Sequence, residues 1–235
     1  SLFARKDSST LISLSEIIAT FVANHIFKEK HSEVALVTVD EPVFGFLSDP
    51  MLDQASKGRE ELLKVWERIF HTASSKGIRT SIHLHNTMDE LFWDLKSLNV
   101  VESHADDAFY YSKRTRKLLE ERDKSLKASV CITDFDKLIR SAVSLSLPSK
   151  ADHFSINQKV SEVWTDINRR KLDPKTFLET TETMKGRLAK MIDMFGAERV
   201  WYAGPECGLG SFPTYECTLE YLRRTSMAVR SLTKL

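Results

Sequence analysis

The sequence predicts an α/β fold built on a parallel sheet, and three observations predict it. Five short β-rich runs alternate with amphipathic helical stretches along 235 residues, the pattern of consecutive βαβ units. The runs are close to continuously apolar, as in Val34-Ala-Leu-Val-Thr-Val-Asp40, which suits strands buried on both faces. Polar residues also gather at or just past the C-terminal ends of these runs: Asp40, His85, His104, Asp134 and Cys207.

The elements follow in order. Leu14, Ile17, Ile18, Phe21, Val22 and Ile26 recur at helical spacing over residues 11–27. The first strand ends at Asp40-Glu-Pro42, where proline cannot donate to a ladder. A helix with Leu62, Leu63, Trp66, Ile69 and Phe70 on one face comes next, with Gly77 as its C-cap. Residues 79–86 form the second strand, Leu91, Leu95 and Leu98 mark a short helix, and residues 99–104 form the third strand. A charged helix is expected over about 107–127 and a fourth strand over 129–134. Residues 137–195 read as mostly helical and end at Gly196; residues 199–204 form the fifth strand, and a last amphipathic helix spans about 213–231.

The polar strand ends choose between two architectures. Closed barrels assemble their sites from the ends of many strands, whereas an open doubly wound sheet concentrates its site at one switch point. No GxGxxG follows any strand. The reading is therefore a (β/α)8 TIM-type barrel. A barrel needs eight strands, and the chain opens on Ser1-Leu-Phe3 with no strand before its first helix. Residues 1–235 are thus expected to be a single barrel domain carrying the later strands, with the first ones upstream of residue 1.

Composition removes several function classes. A net charge of +1 gives no electrostatic case for nucleic acid or an acidic membrane surface. Mixed-sign stretches such as Lys113 to Lys127 read as solvated helix faces. No apolar run reaches the roughly 18 residues of a membrane span, and no signal segment opens the chain. Cys131, Cys207 and Cys217 are odd in number and have no metal-knuckle or redox spacing. A reducing cytoplasm is the expected compartment.

Several residues could carry chemistry. His83 and His85 lie two apart on a strand and share a face; they are either metal ligands or hydrogen-bonded core histidines. Cys207, in Pro205-Glu-Cys-Gly-Leu-Gly210 after the last strand, is a metal thiolate, a nucleophile or a small buried residue. Asp40 and Glu41 point opposite ways on a regular strand, so only one can face a barrel mouth, where it would suit a substrate ammonium or form a structural contact. Glu102 and His104 share parity, and either could add a ligand. Cys131 and Cys217, within a strand and a helix, read as core.

In order, Val37-Thr-Val-Asp-Glu-Pro42, Ile82-His-Leu-His85, Asn99-Val-Val-Glu-Ser-His104 and Val200-Trp-Tyr-Ala-Gly-Pro-Glu-Cys-Gly-Leu209 resemble the C-terminal catalytic barrel of cobalamin-independent methionine synthase. The closest match in style is to its archaeal single-barrel relatives. The last segment is similar to the family's apolar strand followed by Asn-Pro-Asp-Cys-Gly-Leu. The resemblance implies strands four to eight of the barrel and a zinc ion that binds the thiol of homocysteine. It assigns zinc ligation to His85, Cys207 and His104, with Glu102 as the alternative to His104. It gives substrate binding to Asp40, beside Glu41, and proton donation to Asp136.

The departures carry their own implications. Thr87 stands where the family has its second zinc ligand, a cysteine, and Asp136 stands where it has a histidine. Phe3 is the aromatic nearest the expected folate-stacking tryptophan, and Phe46 replaces an acidic folate contact. A methylcorrinoid, carried by a partner protein, is therefore the expected methyl donor in place of folate. The same superfamily leaves two other readings: a uroporphyrinogen decarboxylase-like or coenzyme M methyltransferase-like enzyme, and a degenerate barrel that binds without catalysis.

Overall fold

The computed structural model describes residues 8–45, 56–148 and 152–232. Its five strands form an all-parallel sheet in the order β1-β2-β3-β4-β5. They are β1 (Leu36–Glu41), β2 (Arg79–Leu84), β3 (Val100–Glu102), β4 (Ser125–Cys131) and β5 (Val200–Pro205). The order does not reverse among the described strands, as it would at the switch point of a doubly wound sheet. A run of consecutive βα units gives this order, consistent with part of a TIM-like fold. The chain divides into two compact units: residues 1–103 with 107–127, and residues 104–106 with 128–235.

In the first unit, α1 (Ser8–His25) lies against α2 (Lys57–Ser74). The Ser56 hydroxyl caps α2 by accepting Arg59 N–H at 3.1 Å. Val65, Trp66, Ile69, Phe70 and Ala73 form its buried face, each large side chain contributing about 1.5–3 kcal/mol by leaving water. The cap falls at Ser75, two residues earlier than the Gly77 cap expected from the sequence, and Gly77 takes φ +75° in the turn into β2. The apolar stripe of α1 is not covered by the described residues, since Ile17 and Phe21 stay 67% and 62% exposed.

Register fixes which side chains share a face. Asp40 pairs with His83, His83 with Glu102, Ser81 with Val100, and Val100 with Ser125. Residues at the same level of parallel strands point the same way, so one face of β1 to β4 is mostly polar, carrying Thr38, Asp40, Ser81, His83, Glu102, Ser125 and Lys127 with Val100 among them. The other face carries Val37, Val39, Ile82, Leu84, Val101 and Leu126. This division departs from the near-continuous apolarity that the sequence suggests for the strands.

Two expectations for this unit change. The helix expected near Leu91 to Leu98 is a single 3-10 turn, Leu91–Asp94. The helix expected over 107–127 is a 3-10 turn, Ala108–Tyr111, followed by α3 (Lys113–Glu121). Asp123 enters the left-handed region at φ +47° and Lys124 N–H bonds Leu119 C=O at 2.9 Å, which stops α3. The Lys124 ammonium then caps the carbonyls of Leu95 and Leu98 from a buried position. β4 consequently starts at Ser125, four residues earlier than expected, with Ser125 and Leu126 paired to Val100 and Val101.

The second unit holds the end of β4, α4 (Phe135–Ser146), α5 (His153–Asn168), α6 (Thr181–Phe195), β5 and α7 (Tyr215–Leu232). Asp134, Asp152 and Thr180 cap the three helices that follow them through side-chain oxygens. Gly196 ends α6 at φ +84°, where a Cβ would meet the Glu198 carboxylate. Its core joins Val130, Phe135, Ile139, Met184, Leu188, Met191, Phe195, Tyr221 and Ala228. Glu179 organises the end of β4: it accepts Ile132 N–H and the Tyr221 hydroxyl, both at 2.8 Å, and pairs with Arg187 at 2.8 Å.

Candidate metal centre

In the first unit, β2 places His83 and His85 on the polar face with ring centroids 4.9 Å apart, edge to face. A ligand nitrogen of one lies within 4.8 Å of one on the other. His83 is buried and His85 half-buried. His83 Nδ1 faces Glu102 Oε1 at 3.5 Å, and Lys127 Nζ pairs with the other oxygen of that carboxylate. Glu102 is thus engaged by a cation and a ring. A carboxylate on Nδ1 favours the tautomer whose Nε2 lone pair can bind a metal, an arrangement that orients ligating histidines.

Asp40 and Glu41 separate as their parity requires. Asp40 Oδ1 stands 3.8 Å from His85 Nε2, and its side chain is largely exposed. Glu41 turns to the opposite face, where its carboxylate accepts Trp66 Nε1–H at 2.7 Å. Burial pushes the Glu41 carboxyl above its ordinary range; the Trp66 bond opposes this and the Asp40 charge adds to it. Thr87 donates its hydroxyl to Asp107 at 2.9 Å. It braces the loop after β2.

In the second unit, His104 follows β3 and Cys207 lies in the turn after β5. Both are half-buried, and their ligand atoms lie within 4.8 Å of each other. Glu206, beside the thiol, is 2% exposed. Its carboxylate accepts Ala105 N–H and Thr133 N–H, both at 2.8 Å. Ser211 Oγ, from the glycine-rich loop, donates to Thr133 C=O at 2.7 Å and accepts Phe135 N–H at 3.1 Å. These bonds shape the turn that carries the thiol.

Cys131 and Cys217 are fully buried, and burial pushes both thiols up to about 11. They belong to the core, as their sequence positions suggested. Asp136 lies in the first turn of α4, where it accepts Trp164 Nε1–H at 2.9 Å and pairs with Arg140 at 3.3 Å. It ties α4 to α5. Phe3 and Phe46, the positions relevant to folate, lie outside the described residues.

His83 with His85 in the first unit, and His104 with Cys207 in the second, are each a close pair of donors of types that bind metal ions. Nitrogen and sulfur donors of these types suit zinc. The family resemblance assigns three of these four to the metal; the shared parity of His83 and His85 leaves His83 as either a metal ligand or a core histidine, and the resemblance gives it no ligand role. Its parity was the available signal. Glu206 and Lys127 were missed, because neither the clamp nor the ion pair has a local sequence signature. Among the described residues no helix is long and apolar enough to cross a membrane. Compared with known proteins, the chain matches no family model and no curated sequence.

Proposed function

We propose that the chain belongs to a (β/α)8 barrel that binds zinc and transfers a methyl group to a thiol. The thiol substrate is homocysteine, the donor a methylcorrinoid delivered by a corrinoid protein, and the compartment the cytoplasm. The observation that carries the reading is the pair of ligand pairs, His83 with His85 and His104 with Cys207, each at or just past the C-terminal end of a parallel strand. His85, His104 and Cys207 hold the ion, with His83 as a further donor.

Zinc, when bound, lowers the pKa of a thiol it ligates, which makes the thiolate available at neutral pH. The chain's own groups do the rest. Glu102, itself balanced by Lys127, orients the His83 ring. Asp40, largely exposed beside His85, is placed to hold a substrate ammonium. In the transfer the thiol proton leaves to solvent, a sulfur–carbon bond forms, and the cobalt–carbon bond breaks with its electron pair remaining on cobalt.

Glu41 does not share this work, since its carboxylate serves Trp66. Asp136, engaged by Trp164 and Arg140, favours a second reading in which the chain binds metal and thiol without transferring methyl. Incubation with homocysteine and methylcobalamin, with and without a zinc chelator, separates the readings. Zinc-dependent methionine formation that is lost in Cys207→Ala supports transfer. Zinc-dependent homocysteine binding without methionine supports the second reading, and activity indifferent to both zinc and Cys207 refutes the first.

A further inference from the structure

Glu206 is a buried acid that the zinc chemistry does not use. It sits one residue before Cys207, and through Oε2 it accepts the N–H of Ala105, one residue after His104, at 2.8 Å. Through Oε1 it accepts Thr133 N–H at 2.8 Å, and its own N–H bonds Cys131 C=O at 3.1 Å. One residue thus bonds the backbone following β3 and the backbone at the end of β4 while carrying the thiol on its next neighbour. Both carboxylate oxygens accept from buried backbone N–H groups, which would otherwise lack partners at a cost comparable to a lost hydrogen bond. Such donors fix an acid's orientation as well as its position.

We propose that Glu206 is a positioning residue whose carboxylate holds the His104 and Cys207 backbones at the separation a shared metal ion requires. The proposal rests on the zinc reading given above. The residue's chemistry makes it specific: glutamine keeps the shape but offers one acceptor and turns an amide N–H toward a backbone N–H. A clamp with two acceptors becomes a clamp with one.

Glu206→Gln is compared with the wild-type chain in three measurements. Titration with Co2+ alone reads affinity together with the sulfur-to-cobalt charge-transfer band. Iodoacetamide labelling of the metal-free protein reads how firmly the Cys207 turn is held. Circular dichroism confirms that the fold is kept. The expected result is a loss of Co2+ affinity of about tenfold or more, a weakened charge-transfer band and faster Cys207 alkylation at unchanged secondary structure. Wild-type affinity, band and alkylation rate in Glu206→Gln would overturn the proposal.

A wild-type chain that binds no Co2+ defeats the zinc reading instead, and alkylation then decides the clamp: equal rates refute it, a faster variant upholds it. Should Glu206→Gln fail to fold, amide hydrogen exchange on the wild type decides. Ala105 and Thr133 amides protected like those of β4 support the clamp, and amides exchanging at unfolded-chain rates refute it.

Discussion

Oε2 of Glu206 accepts the backbone N–H of Ala105 at 2.8 Å across 101 residues of sequence. The residue before a thiol is thereby bonded to the residue after an imidazole. That bond, with its counterpart to Thr133, links the backbone after β3, after β4 and after β5 through one side chain. A donor pair needs this, because ligands on independently moving loops would pay an ordering cost on every binding event.

Thiol chemistry should single out Cys207. It is half-buried, whereas Cys131 and Cys217 are fully buried with thiols pushed up to about 11. Mass spectrometry after brief iodoacetamide treatment at pH 8 is expected to find one modified cysteine, Cys207, and three only after denaturation. Native labelling of Cys131 would contradict the packing of β4.

Glu41→Gln should stabilise the protein at neutral pH. Burial raises the Glu41 carboxyl above its ordinary 4.5, so the folded state holds this proton more tightly than the unfolded chain does. The group's contribution is full below that ordinary value and is lost as pH rises through the raised folded value. Glutamine keeps the oxygen that accepts Trp66 and carries no charge. Chemical denaturation at pH 4 and pH 7 is expected to show a smaller pH loss in the variant than in the wild type; equal losses would count against a buried carboxyl here.

Lys124 has the opposite dependence. Burial pushes its ammonium down to about 8 from 10.5. The folded state releases this proton first, so the cost of burying the charge is felt in full below about pH 8 and is relieved as pH rises toward 10.5. Between pH 8 and pH 10 the wild type should gain stability relative to Lys124→Met. Parallel pH profiles for the two proteins would rule out the charged state as a source of strain.

Lys127→Met should expose the dependence of Glu102 on its cation. Glu102 is 4% exposed and its partners are Lys127 and the His83 ring. Removing one partner of a buried pair leaves an uncompensated charge, at about 3 kcal/mol, the low end of the usual range because Lys127 is partly solvated. Lys127→Met combined with Glu102→Gln is expected to recover most of the loss in urea denaturation, and an undiminished loss in the double variant would show that the pair is not the cause.

The parallel sheet was legible because its signals are local: apolar runs such as Val34 to Val39, helical spacing in α2, glycine at the end of α6. The strand-end histidines and Cys207 were legible for the same reason. What escaped depends on tertiary partners. Lys124 reads as one more surface charge in a run of charges, yet it caps two carbonyls and lets β4 begin at Ser125. Glu206 reads as a loop acid, since its two backbone donors lie 73 and 101 residues away. Glu41 and Asp40 were separable by parity, but only the position of Trp66 tells which of them faces the helix.

The zinc proposal assigns the ion to His85, His104 and Cys207, with His83 as a further donor. Zinc X-ray absorption on the purified chain tests it most directly. The account predicts one equivalent of zinc with a single sulfur at about 2.3 Å and imidazole nitrogens at about 2.0–2.1 Å, the sulfur vanishing in Cys207→Ala. Substoichiometric zinc, or a coordination shell without sulfur in the wild type, would contradict it.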